Sequence, residues 1–205
     1  MRVVSLGAGA LCLLCGLCLS TQAQEKGDIS ALLQRAQGSY DAGRYLDAAN
    51  QLRQALRLVN KAIVAQMEGL LPEPERGWEA QPTQADADEF SPQVGLKVRR
   101  QYVKTNSAQS VEVEVAIGAL DAGVLAMWLA NPIQMERARE GSKLITIGTR
   151  RWVVKYDERD QTAELATVVG TDRVVLVRGY SLRSAEPAEK YAARVSLETL
   201  ERLFR

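Results

Sequence analysis

Two hydrophobic periods divide this chain. From Ile29 to about Leu71, apolar residues recur at spacings of three and four among many Ala, Leu, Gln and Arg, with few β-branched residues, which predicts helix interrupted at Gly43. Beyond Gly95 the period becomes two. Leu96–Tyr102 and Val111–Ile117 predict a hairpin across Asn106–Gln109, with Lys97 and Arg99 expected to oppose Glu112 and Glu114 on a solvated outer face. A helix is predicted over Asp121–Ala130, capped by Asp121 and ended near Asn131 and Pro132, with Val124, Leu125, Trp128 and Leu129 as its apolar stripe. Residues Ile133–Gly141 fit either a short helical turn or a loop.

Four more strands are expected at Lys143–Ile147, Arg151–Tyr156, Ala163–Val169 and Arg173–Tyr180, joined by connections short enough for antiparallel hairpins. Val174–Val177 is apolar on both faces, the mark of a central strand covered on both sides. Pro187–Phe204 reads as helix with a break at Ser196, its Leu197, Leu200, Leu203 and Phe204 turned toward the sheet. The expected fold class is therefore α+β: an N-terminal helical hairpin, a Pro-rich linker, then an antiparallel sheet of about six strands in the order ββαββββα, covered by helices.

Residues 72–95 separate these halves. They hold four of the six prolines and two glycines and predict an extended connector without elements of its own. Trp78 is expected to dock on a core and pin this strap; a ligand-stacking or partner-binding role is the other reading. The acidic run Asp86, Asp88 and Glu89 lacks the glycine and distal glutamate of a calcium loop and reads as a solvated stretch.

The segment Tyr40–Leu58, YDAGRYLDAANQLRQALRL, resembles a tetratricopeptide repeat. Gly43 matches the turn glycine, Tyr45 the aromatic after it, Ala48 the small residue where two helices touch, and Ala55 with Leu56 the later packing pair. The resemblance covers about residues 30–60 and implies a single helical hairpin that binds protein. It departs from the family at Asn60, where a helix-ending proline is usual. Such repeats bury a continuous core only when about three are stacked, so a lone copy must pack on something else. Tyr40, Tyr45 and Leu46 are the candidate partner-binding residues around its turn. The order of strands and helices in the second half is similar to the small sheet-and-helix folds of the photosystem-accessory and nuclear-import-factor class, which implies binding of other macromolecules.

The N-terminus changes the setting. Arg2, an apolar run of 17 residues from Val3 to Leu19, and a polar stretch closing on Thr21 and Ala23 follow the order of a secretory signal peptide, with cleavage expected between Ala23 and Gln24. The expected segments are 1–23 export signal, 24–71 helical hairpin, 72–95 linker and 96–205 sheet domain. The location is periplasmic or secreted, without stable membrane insertion after cleavage. Cys12, Cys15 and Cys18 are the only cysteines, and all lie inside the signal.

Chemistry is limited by composition. Removing residues 1–23 takes away one of the 26 cationic residues and none of the 25 acidic ones, so the processed chain has no net charge and no global attraction for nucleic acid or anionic lipid. With no histidine anywhere and no cysteine after Cys18, serine-histidine and cysteine-histidine sites, disulfides and ordinary zinc, haem or copper sites are excluded, and no cofactor is expected. The function expected is a non-catalytic adaptor or assembly factor that binds another envelope protein, with self-association open. A carrier of a small apolar ligand is the alternative, and a carboxylate-dependent wall hydrolase a third.

Overall fold

The computed structural model describes residues 13–86, 95–119 and 121–203. Residues 1–12, which hold Arg2 and Cys12, lie outside these, as do Asp88 and Glu89. The elements are α1 (Leu13–Asp41), α2 (Tyr45–Glu68), β1 (Trp78–Ala80), β2 (Gln84–Asp86), β3 (Leu96–Lys104), β4 (Ser110–Ile117), α3 (Asp121–Ala130), α4 (Pro132–Ala138), β5 (Ser142–Ile147), β6 (Arg150–Asp157), β7 (Thr162–Val169), β8 (Arg173–Tyr180), α5 (Glu186–Arg194) and α6 (Leu197–Leu203). The class is α+β, a helix pair followed by an antiparallel sheet with helices. None of the helices among the described residues is long and apolar enough to cross a membrane. The bond expected to be cut, between Ala23 and Gln24, lies within α1 of the uncut chain.

The chain forms two compact units, Met1–Val59 and Asn60–Arg205. In the first, α1 ends in a Schellman turn. The Arg44 N–H donates to the Ser39 carbonyl and the Gly43 N–H to the Tyr40 carbonyl, both at 2.9 Å. Gly43 takes φ +73°, where a side chain would be strained, so the glycine sets the reversal into α2. Leu32, Ala36 and Ser39 on α1, and Ala48 and Ala55 on α2, are buried, one row on each helix. Leu56, the second half of the expected packing pair, is instead half-exposed.

The unit boundary falls inside α2, earlier than the expected junction at residue 71, because Val64, Met67, Leu70 and Leu71 belong to the sheet's core. Asn60 lets the helix run on where proline would stop it, and it ends at Glu68. In this second unit the strand order is β1-β3-β4-β8-β7-β6-β5, with β2 also pairing β3, all antiparallel. The central place expected for Val174–Val177 is the place of β8, between β4 and β7.

Among the described residues the sheet has eight strands where about six were expected. The added pair, β1 and β2, comes from the Pro-rich stretch, whose sequence predicts an extended connector without elements. Three-residue strands of mixed polarity leave no period to read, and they form because β3 has an open edge: β1 pairs with Tyr102–Lys104 and β2 with Lys97–Arg99. Residues 133–141 resolve in favour of a helix, α4, with Asn131 accepting from the Gln134 N–H as N-cap and Pro132 in its first turn. The C-terminal helix breaks at Val195–Ser196 into α5 and α6.

One face of the sheet carries Val98, Tyr102, Val113, Val115, Trp152, Val154, Leu165, Val175 and Val177. It is packed against Met67 and Leu70 and against Ala188, Tyr191, Ala192 and Leu200 of α5 and α6. Each fully buried Val or Leu here contributes about 1.5–3 kcal/mol relative to exposure. Gly95 enters β3 at φ +66°, and a Cβ there would lie 1.8 Å from the Ile117 carbonyl oxygen, so only glycine fits beside the end of β4. On the second face, Leu125 and Met135 of α3 and α4 pack with Val153 and Ala166, and Trp128, Leu129, Leu144, Val174 and Leu176 adjoin them.

The strap over residues 72–78 is tied to the first face by three polar contacts and an aromatic one. The Tyr102 hydroxyl donates to the Pro72 carbonyl at 2.6 Å, the Glu75 N–H donates to the Tyr191 hydroxyl at 3.2 Å, and Arg194 pairs with Glu75 at 2.7 Å. Trp78 packs edge-on to Tyr191 with ring centroids 5.6 Å apart. Burial pushes the Tyr102 phenol up to about 12, and burial raises the Tyr191 phenol as well.

Candidate functional site

The second sheet face is apolar at one end and charged at the other, and the strand register explains both. Outward positions on β4 are Glu112 and Glu114, on β8 Val174, Leu176 and Arg178, and on β7 Glu164, Ala166 and Val168. Antiparallel pairing sets Gln101 opposite Glu112, Glu112 opposite Arg178, Arg178 opposite Glu164, and Glu164 opposite Lys155. The result is one row across five strands, neutral at Gln101 and of alternating sign over the other four.

Contacts within the row are short. Arg178 Nη1 lies 3.2 Å from Glu112 Oε1 and 3.7 Å from Glu114 Oε2. Arg139, on the turn after α4, reaches Glu164 at 2.5 Å, and its guanidinium sits 6.0 Å from the Trp128 ring centroid. Glu112 and Glu114 thus find their cation on β8. Of the two cations expected opposite these acids, Arg99 does stand opposite Glu114, with its guanidinium hydrogen-bonded to Gln84 at 2.8 Å; Lys97 is corrected, for it stands opposite Ala116, and Gln101 takes the place opposite Glu112. A strand hairpin considered alone cannot reveal the neighbour that β8 supplies from the far end of the chain.

Two grooves share Arg139, Glu164 and Arg178. One, of about 360 Å³, continues over Lys155, Asp157 and the exposed Tyr180. The other, of about 290 Å³, has apolar walls of Val124, Trp128, Val174 and Leu176. Together they make an apolar slot beside a ladder of charges. That arrangement suits an apolar side chain flanked by charged groups of a polypeptide, held by contacts along the row. A separate cleft of about 520 Å³ lies between the β5–β6 turn and the α5–α6 junction, where Arg150 pairs with Glu201. Among the described residues no group of three or more Asp or Glu is placed to hold a metal ion.

The residues singled out from the sequence lie elsewhere. Tyr40 and Tyr45 are 61% and 65% exposed, with their rings in edge contact at 5.5 Å, and Leu46 is 83% exposed beside them. Trp78 is half-buried against Tyr191, with Lys104 Nζ 6.0 Å from its ring centroid; its indole closes the strap onto the core. Ala23 and Gln24 are in α1. Arg139, Glu164 and Arg178 do not stand out in the sequence. The signal for Glu164 and Arg178 is the alternation of charged and apolar residues along β7 and β8, which becomes a row only once those strands are known to be neighbours; Arg139, on the turn after α4, carries no such signal.

Comparison with protein-family models, with curated proteins and with solved structures returns no match for this chain.

Proposed function

We propose that this protein is an exported, non-catalytic component of the bacterial envelope, and that the second face of its sheet docks another envelope protein. The observation that carries the reading is the row Gln101–Glu112–Arg178–Glu164–Lys155 beside the slot walled by Trp128 and Leu176. Each carboxylate of the row stands next to a cation, so the face offers a partner both signs of charge in fixed order. Such patterning selects a partner and its register more than it adds affinity. The slot supplies the apolar anchor around which interface energy concentrates. An exported chain is supported by the order of charge, apolar run and small residues over residues 1–23.

The reading is tested by placing a photo-crosslinking residue at Val124 or Tyr180, both on this face and both exposed. The control position is Glu158, on the β6–β7 turn. Capture in cells of one dominant heterologous protein from Val124 and Tyr180, absent from Glu158 and lost on Arg178→Glu, is expected. Equal capture from all three positions, or capture unaffected by Arg178→Glu, refutes the docking face.

A further inference from the structure

The helical unit carries an apolar face that its own two helices leave open. On α2, Tyr45, Ala49, Leu52, Leu56 and Val59 recur at steps of four, three, four and three, the spacing of a helix-pairing seam. This row is distinct from the buried row of Ala48 and Ala55, and its Leu52 and Leu56 are 51% and 50% exposed. On α1, Leu33 and Tyr40 stand one heptad apart and are exposed too. The edge contact between Tyr40 and Tyr45 places the two rows side by side on the hairpin.

We infer that this face is a homodimer interface, in which two copies of the helical unit form a four-helix bundle with α1 of each laid along α2 of the other. Three features select a second copy of this chain as the occupant. The seam keeps a helix-pairing period over four steps, which an opposing helix of the same spacing matches, and a two-fold axis presents the same patch on both sides. The exposed parts of Leu33, Tyr40, Tyr45, Leu52, Leu56 and Val59 amount to on the order of 500 Å² of apolar surface per chain. At the ~65% apolar content of homodimer interfaces, full coverage of that surface corresponds to about 800 Å² per partner, the standard size of a stable interface.

Charge selects the arrangement. Arg53 and Arg57 border the seam on the side of α2 away from α1, whereas the outer flank of α1 carries Ser30, Gln34, Gln37 and Asp41. A two-fold axis parallel to the helices sets each arginine edge over the partner's uncharged or acidic α1 flank. An axis across the helices would bring the arginine edges of the two chains together. The inference uses the helical unit alone and is independent of the docking role proposed for the sheet face.

The test is sedimentation equilibrium of the full-length protein as its host processes it, from about 1 to 100 μM, the affinity range of modest interfaces. A dimer is expected, with Leu52→Glu/Leu56→Glu monomeric or weakened about 30-fold or more at unchanged helical circular dichroism, since both positions are already half-exposed. Because no cysteine follows Cys18, chains carrying Leu33→Cys and chains carrying Leu52→Cys report the arrangement when mixed. A disulfide between unlike chains supports α1 over α2. A wild type that stays monomeric at the highest concentration overturns the inference, as does a dimer indifferent to the double substitution; either result leaves the sheet-face experiment able to succeed or fail by itself.

Discussion

Replacing Tyr102 by Phe separates two effects that meet at one hydroxyl group. The phenol donates to the Pro72 carbonyl at 2.6 Å, and both residues are buried. Removing the donor leaves that carbonyl without it, which costs about 1–3 kcal/mol at neutral pH. The same hydroxyl also titrates. Burial holds its pKa at about 12 in the folded chain, above the usual value of about 10 that it regains on unfolding. The neutral phenol is therefore the form that folding favours. Its contribution is complete below about pH 10 and is lost as pH rises toward about 12, a change of about 2–3 kcal/mol for a group of this burial.

Tyr102→Phe has no such proton to lose, so the stabilities of wild type and variant should converge between pH 10 and 12. Tyr191, raised in the same direction by burial, remains in both and leaves a shared slope. Urea denaturation followed by tryptophan fluorescence at pH 8, 10 and 11.5 gives the two curves. A difference under about 0.5 kcal/mol at pH 8, or one that stays constant to pH 11.5, would refute the reasoning that this hydroxyl ties the strap to the core.

Trp78→Ala removes the edge contact with Tyr191 and part of the strap's apolar burial; a loss of about 2 kcal/mol is expected in the same denaturation assay. Gly95→Ala forces a Cβ against the Ile117 carbonyl at positive φ, and should lower stability by about 3 kcal/mol or more, visible as a fall in melting temperature and in yield. Arg178→Gln leaves Glu112 and Glu114 without their shared cation. Since these groups are partly exposed, the cost should be only about 0.5–1 kcal/mol, and shrink in 1 M salt if it is electrostatic in origin.

Much of the architecture is legible in the sequence where a single element carries its own signal. The two-sided apolar run Val174–Val177 marks β8 as central because only a strand covered on both faces can bury both sets of side chains. Gly43 marks the helical reversal because a Schellman turn needs a left-handed residue at that point. Features made by distant segments are not legible in this way. The short strands β1 and β2 owe their existence to the open edge of β3, and apart from Trp78 their own residues have little strand preference. The candidate site is of the same kind: Arg139, Glu164 and Arg178 are brought together by the β6–β7–β8 pairing and by the length of α4. Each alone reads as an ordinary charged residue on a solvated strand or turn.

The strap also guards a sheet edge. β3 is nine residues long, and one side of it would present unpaired amides and carbonyls if β1 and β2 were not laid end to end along it. An edge of that length is a template for strands of other chains. Cleavage or loosening of the connection around Gln81–Thr83 would remove few apolar contacts and leave most of the core in place. It would nonetheless turn a sheet with a sealed flank into one that recruits its neighbours, so the integrity of this polar, proline-bearing stretch bears on colloidal behaviour more than on folding.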